Sequence, residues 1–284
     1  MTGIRRRSPG WSMVELIVVI GIVGLLIALL MPTLAGARRA AAAVACQSNL
    51  RQIFQAALNR AQECHGYVQL GGSINGVPDT QPATLGDPDE RRYRWFEDAG
   101  VRRPAPIQAA LAPYLGSSTV RLDSAEHLIE DLRHGVVGRI FTCPGQPDPP
   151  EGITIGKTGQ WTGPRVPIGY GFNEGLLGYE ADPRRLRGNL NKARPADRMM
   201  FAADALPRTE LARDYVMWFP TPSGACSLAQ AYSNGTGTYA AGVRTQFDPF
   251  RHPRFRMNIV FCDGHVEAVP ISPVDLDRVL LLGP

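Results

Sequence analysis

Between Leu16 and Ala37 the chain runs for 22 consecutive residues without a charge, LIVVIGIVGLLIALLMPTLAGA, and this run constrains the fold more than any other feature. As a helix it would be roughly 33 Å long, enough for a hydrocarbon core of ~30 Å. Arg5, Arg6 and Arg7 precede it and Arg38 and Arg39 follow it. The basic leader favours a cytoplasmic amino terminus and an exported body. A mean hydropathy of −0.12 over 284 residues excludes a polytopic membrane protein but leaves room for one span. A plain secretory signal or signal anchor is the competing reading, with Ala35-Gly36-Ala37 imitating a cleavage site. The net charge of +4 does not point to nucleic acid. Without the first ten residues, 27 bases face 26 acids, so the body is nearly neutral.

The residues that open the apolar run carry more information than the run itself. They read Pro9-Gly10-Trp11-Ser12-Met13-Val14-Glu15-Leu16. A carboxylate at the edge of a membrane helix is expensive and calls for a partner. Cleavage between Gly10 and Trp11 would create an α-amino group four residues before Glu15, one helical turn away. The amine of one copy could then pair with Glu15 of a neighbour, neutralising both charges and setting the axial register of an assembly. This block resembles the class III signal of type IV prepilins and type II secretion pseudopilins. In that family a basic leader ends in Gly, an aromatic residue (usually Phe) follows, and Glu comes four residues later. Gly10, Trp11 and Glu15 occupy those positions, with Trp in place of the usual Phe. The resemblance implies cleavage after Gly10 by a prepilin peptidase and methylation of the new terminus at Trp11. Pro32, 17 residues beyond Glu15, matches the helix-kinking proline common in these proteins.

Helical character continues past the apolar run. No proline occurs from Thr33 to Cys64, and alanine, the best helix former, is abundant. Leu50, Ile53, Ala57, Leu58 and Ala61 recur at three- and four-residue steps, with Arg51, Gln52, Gln55, Asn59 and Arg60 on the other faces. One helix from Trp11 to about Cys64, with Gly66 as its stop, would be roughly 80 Å long. An anchor followed by a separate short helix is the alternative, because Pro32 and Gly36 permit a break. Four segments follow: a basic leader (1–10), a transmembrane or filament-core helix (11–37), its amphipathic continuation (38–65) and an exported head (66–284).

The head is rich in glycine and proline, and its elements are short. Tyr67 to Leu70 reads as a strand, and Gly71 to Asp89 as a loop. Glu90 to Arg103 reads as a solvated loop with aromatic anchors at Tyr93, Trp95 and Phe96. Pro106 to Leu115 reads as a short helix ending near Gly116, and Leu122 to Arg133 as another capped by Asp123 or Ser124. Met199 to Ala203 and Tyr215 to Phe219 are strand candidates, and Asp275 to Leu282 a terminal helix. The clearest local pattern is Asn258 to Cys262, then Asp263-Gly264, then His265 to Val269. Two β-prone runs flanking Asp-Gly predict a hairpin with a type I′ turn. His252, Asp263 and His265 could instead be read as metal ligands. No CxxC or HxxxH spacing supports that, so no metal and no cofactor is expected.

Arg251-His252 followed by Asn258 to Val266 resembles the carboxy-terminal signature of a large prepilin-like group of unknown function, the H-X9-DG group. Ten residues rather than nine separate His252 from Asp263 here, an extra residue that a bulge or longer loop could absorb. Phe141-Thr-Cys-Pro144, Ile168 to Asn173 and Ala193 to Asp204 are similar to interior segments of the same group. The two resemblances together imply an α+β, pilin-like fold, with the long helix packed on an antiparallel β-rich head with long loops. No chemistry comes with them.

The five cysteines, Cys46, Cys64, Cys143, Cys226 and Cys262, permit two disulfides in an exported body and leave one over. Cys46, on the helix, is the expected odd one. No Gly-x-Ser-x-Gly elbow is present, and nothing selects a nucleophilic Cys–His pair, so the chain is not expected to be an enzyme. The leading expectation is a structural subunit that is processed, methylated and assembled into a pilus-like or pseudopilus-like filament. Its partners would be the prepilin peptidase, other pilin or pseudopilin subunits, the assembly machinery and the lipid bilayer. It would be a single-pass inner-membrane protein with a periplasmic or extracellular head, also present in surface filaments. The alternative is a surface-displayed binding module that uses the same signal for export without polymerising.

Overall fold

The computed structural model describes residues 13–68, 95–98, 101–105, 107–117, 120–124, 127, 128, 130, 131, 135–145, 169–177, 186, 188–205, 212, 213, 216–219, 227–233 and 252–282. The chain divides into two units, Met1–Ala41 and Ala42–Pro284. Gly10, Trp11 and the loop from Gly71 to Asp89 lie outside the described residues.

The first helix, α1, runs from Met13 to Glu63 and contains Pro32 without interruption. The helix therefore does not break at Pro32 or Gly36. Every residue from Met13 to Ala41 is exposed, including Leu16, Ile20, Leu26, Leu30 and Leu34. From Cys46 onward one stripe is buried, formed by Cys46, Leu50, Ile53, Phe54, Ala57 and Ala61. Two positions differ from the periodic reading. Leu58 is only half-buried, whereas Phe54, absent from the periodic set, is buried. Arg60 is buried although it was expected on a solvated face, because its Nε donates to the Val68 carbonyl where the chain turns back over the helix end. The helix closes with a reversed bond from Gly66 N to Ala61 O and left-handed backbone at His65 (φ 53°) and Gly66 (φ 94°).

In the second unit, six strands form one sheet in the order β5-β6-β3-β4-β7-β8. The strands are β3 Tyr170–Asn173, β4 Met200–Asp204, β5 Ala212–Arg213, β6 Val216–Phe219, β7 Arg256–Phe261 and β8 Val266–Pro270. All neighbours pair antiparallel except β3 with β6, which are parallel, so the sheet is mixed rather than purely antiparallel. A separate hairpin, β1 Trp95–Asp98 and β2 Val101–Pro104, replaces the loop expected over 90–103. The mixed charges there concealed two short strands. The unit also contains the short helices α2 (Ile107–Leu111), α3 (Gly135–Ile140), α4 (Glu174–Leu177), α5 (Leu228–Ser233) and α6 (Pro273–Asp277). A 3-10 turn, Ala112–Leu115, continues α2 to the left-handed Gly116. In the 122–133 segment the cap is Ser124, whose Oγ accepts from His127 N at 3.1 Å. Helix α6 begins earlier than expected, because Ser272 caps it and Pro273 occupies its first turn, and it ends at Asp277 rather than Leu282.

Strand alternation divides the core into two. Met257, Ile259 and Phe261 of β7 pack with Leu228, Leu276, Val279 and Leu281. On the other side Val260, Phe201 and Phe172 pack with Phe54 and Leu50 of α1. The contact there is aromatic: Phe201 meets Phe54 edge-on at 5.3 Å and Phe172 at 5.8 Å. A bulge between Met200 and Ala202 lets Phe201 and Ala202 both face this core.

Candidate functional site

Beside that aromatic contact, four chemically versatile side chains converge. Cys46 comes from α1, Cys143 from the turn after α3, Asp204 from the last position of β4, and His252 from the segment that leads into β7. Each is buried, and one sulfur, nitrogen or oxygen atom from each lies within 4.8 Å of the others. The period-two alternation of β4 turns Asp204 toward the α1 side, opposite Ala203 and Ala205. Asn258 shares the Val260 side of β7 by the same alternation.

Hydrogen bonds knit the group together. The Cys46 thiol donates to Asp204 Oδ1 at 2.6 Å. Asp204 Oδ2 lies 2.9 Å from His252 Nε2 and also accepts from the Asn258 backbone N–H at 2.8 Å. Cys143 Sγ lies 3.7 Å from the same Nε2. Around this inner set, Gln47 Nε2 donates to Asn258 Oδ1 at 3.0 Å, and the Tyr170 hydroxyl donates to the Cys46 carbonyl at 3.5 Å. His252 Nδ1 and Asn258 Nδ2 are buried without a hydrogen-bond partner among the described residues.

Burial and the neighbouring acids set the proton affinities. Burial is the main force pushing the Cys46 thiol far above its ordinary value, with Cys143 and Asp204 adding to it. Tyr170 is raised for the same principal reason. For His252 burial opposes the charge, but hydrogen bonds to Asp204 and Cys143 outweigh it and raise the ring to about 9.

A cysteine, a histidine and an aspartate in contact invite comparison with a nucleophilic triad, but the connections differ. In a triad the carboxylate orients the ring through one nitrogen while the other faces the nucleophile. Here Asp204 and Cys143 both face Nε2, and Nδ1 faces neither. What the set can do is donate two sulfurs, one imidazole nitrogen and one carboxylate oxygen to a metal ion.

No family model, curated protein or solved structure matches this chain. The functional reading therefore rests on its own residues.

The residues of the carboxy-terminal signature separate into two places. His252 and Asn258 belong to the buried cluster, whereas the exposed Asp263 and the half-buried Gly264 form the turn between β7 and β8. The trio His252, Asp263 and His265 is not one group: Asp263 Oδ1 pairs with His265 Nδ1 at 2.6 Å, and that ring stacks on Phe261. Nor is the turn the expected two-residue type I′. Gly264 N donates to Phe261 O and Phe261 N to His265 O, with left-handed backbone at Gly264 (φ 93°) alone. This is a type I turn closed by a glycine bulge, which needs one positive φ rather than two. Glu15 lies exposed in the first turn of α1, and Pro32 lies exposed within the same helix.

Cys46, Cys143 and Asp204 had no local motif to reveal them, since they stand 97, 61 and 48 residues apart from one another and from His252 along the chain. A signal was nonetheless present. Cys143, Tyr170, Asp204 and His252 each fall within one of the four short segments singled out in the sequence, around 141–144, 168–173, 193–204 and 251–266. Cys46, Cys64, Cys143 and Cys262 are thiols rather than disulfides, and Cys46, expected as the odd cysteine, is the one hydrogen-bonded to Asp204.

Proposed function

We propose that this protein is a membrane-anchored, pilin-like structural subunit, processed after Gly10 and assembled through its amino-terminal helix. One observation carries the reading. The helix α1 is long and apolar enough to span a membrane, and its most apolar stretch is entirely exposed. A core helix of the same composition would be mostly buried. An exposed apolar surface of this extent calls for lipid or neighbouring helices as cover. The same surface can exchange one for the other, which is what insertion followed by polymerisation requires.

Glu15 then has a defined task. It sits in the first turn of α1, one turn from the amine that cleavage before Trp11 would create. Pairing between the amine of one copy and Glu15 of the next offsets the cost of two charges in a low-dielectric surround. Lipid is the partner before assembly, and other subunits are the partner after it.

The test is intact mass and amino-terminal sequence of the membrane-extracted chain, with and without a prepilin peptidase, followed by shearing. A chain beginning at methylated Trp11 and recovered in sheared filaments is the expected result. Glu15→Ala should leave membrane insertion intact and reduce filament recovery at least about tenfold, the equivalent of ~1.4 kcal/mol per contact. A processed chain that remains a detergent-soluble monomer would favour the surface-displayed binding module instead. Cleavage near Ala37 would end the pilin reading.

A further inference from the structure

The buried cluster lies in the second unit and owes nothing to the apolar helix surface, so it stands independently of the filament reading. We propose that Cys46, Cys143, Asp204 and His252 form a structural zinc site that ties α1 to the sheet. Donor chemistry, geometry and burial each support this assignment.

The donor set suits zinc among the divalent ions. Thiolate and imidazole are ligands of borderline and soft metals, and a single carboxylate completes sets of this kind. Calcium and magnesium demand six or more oxygen ligands or bound waters, which two sulfurs and a nitrogen do not provide. The four donor atoms all lie within 4.8 Å of one another, close enough to share one ion. With zinc bonds of 2.0–2.3 Å, the edges of a tetrahedron are roughly 3.3–3.8 Å. The Cys143 Sγ to His252 Nε2 separation of 3.7 Å is already such an edge. The Cys46 Sγ to Asp204 Oδ1 separation of 2.6 Å reaches it by opening about an ångström. Asp204 divides its work: the Asn258 N–H holds Oδ2, and Oδ1 is left to coordinate.

Burial decides between a structural and a catalytic metal. All four residues are buried, and the protein donors number four, so the shell is closed with no position for water or substrate. The site joins residues far apart in sequence, from the helix, the turn after α3, β4 and the approach to β7. It therefore acts as a cross-link in a unit whose elements are short. The charge balance is simple. Zinc displaces the two thiol protons and any proton on His252 Nε2, leaving two thiolates, one carboxylate and a neutral ring around Zn2+. The residual single negative charge sits beside the Asn258 N–H donor. Coordination at Nε2 places the ring proton on Nδ1, whose acceptor is not among the described residues.

The test uses the full chain in detergent, purified without chelator or added thiol, and reads zinc content together with the thiol count of the denatured protein. The expected result is about one zinc per chain with Cys46 and Cys143 reduced. Cys143→Ser and Asp204→Ala should each lower zinc at least about tenfold, whereas Cys262→Ser, outside the cluster, should retain it. Because the cluster variants could fail to fold, a second measurement uses the unaltered chain. After zinc is removed with a chelator, Co2+ alone should give the intense visible bands of a tetrahedral thiolate site, and Zn2+ should bleach them. A Cys46–Cys143 disulfide in protein exposed to ample zinc would overturn the proposal. So would reduced cysteines with neither zinc nor a tetrahedral cobalt spectrum, or cobalt bands that survive in Cys143→Ser.

Discussion

Gly264 shows how a single residue serves two constraints in this protein. Its φ of 93° lies in the left-handed region, and a Cβ built on it would approach Phe54 Cε1 at 3.0 Å. The turn between β7 and β8 is therefore both a backbone feature and a packing surface for α1. Gly264→Ala combines left-handed strain with a steric conflict against an aromatic ring, and should cost about 1–3 kcal/mol in urea unfolding. A loss below about 0.5 kcal/mol would show that the turn rearranges freely. Asn173 makes a similar double use of one amide. Its Nδ2 donates to the Met200 and Leu281 carbonyls and its Oδ1 accepts from Gly175 N, all buried. Asn173→Ala leaves those groups without partners and should destabilise by about 2–4 kcal/mol in the same assay.

At the scale of elements, α1 meets the sheet through its last five turns, and Phe54 is the largest side chain it contributes there. Phe54→Ala removes the edge-on contact with Phe201 and leaves a cavity against Leu50 and Val260. The expected cost is about 3–5 kcal/mol, read as a lower midpoint in denaturant with an unchanged slope. The segment around residues 121–131 is held differently. Arg121 donates to Asp131 through its guanidinium and its backbone N–H, and the side-chain bond is the main cause of the lowered Asp131 pKa. A depressed carboxylate contributes stability that is fully present above its unfolded pKa of about 4 and fades as pH falls through the folded value. Asp131→Asn should therefore lower stability at neutral pH and flatten its fall below about pH 4. An unchanged acid profile would show that the pair contributes nothing, the usual outcome for a fully exposed one.

At the scale of the whole molecule, the division at Ala41 and Ala42 separates two kinds of surface. Residues 42–284 retain both core clusters and all four residues of the cysteine–histidine–aspartate group. A fragment beginning at Ala42 should remain in solution without detergent, and it should unfold within a few degrees of the full chain. Aggregation of that fragment would show that the first unit contributes to the stability of the second.

Local periodicity and turn chemistry made much of this legible in advance. The apolar run, the continuous helix and its glycine stop, β4, β6 and the terminal hairpin follow from neighbours in sequence, because propensity and alternation act over a few residues. Where distant residues decide, the sequence alone was silent or misleading. Arg60 is buried because the chain at Val68 returns to meet it, and β3 pairs parallel with β6 because the intervening segment crosses over. The hairpin and its Asp-Gly pair were evident, but the type of turn depended on the register of β7 with β8. The long apolar helix at the amino terminus is a local pattern and could be read directly, while the cluster of Cys46, Cys143, Asp204 and His252 could not. Its four residues occupy four separate elements, and their proximity arises only when the helix packs on the sheet. A span is determined by the length and apolarity of one segment, whereas a site of this kind exists only once tertiary packing brings its donors to a common point.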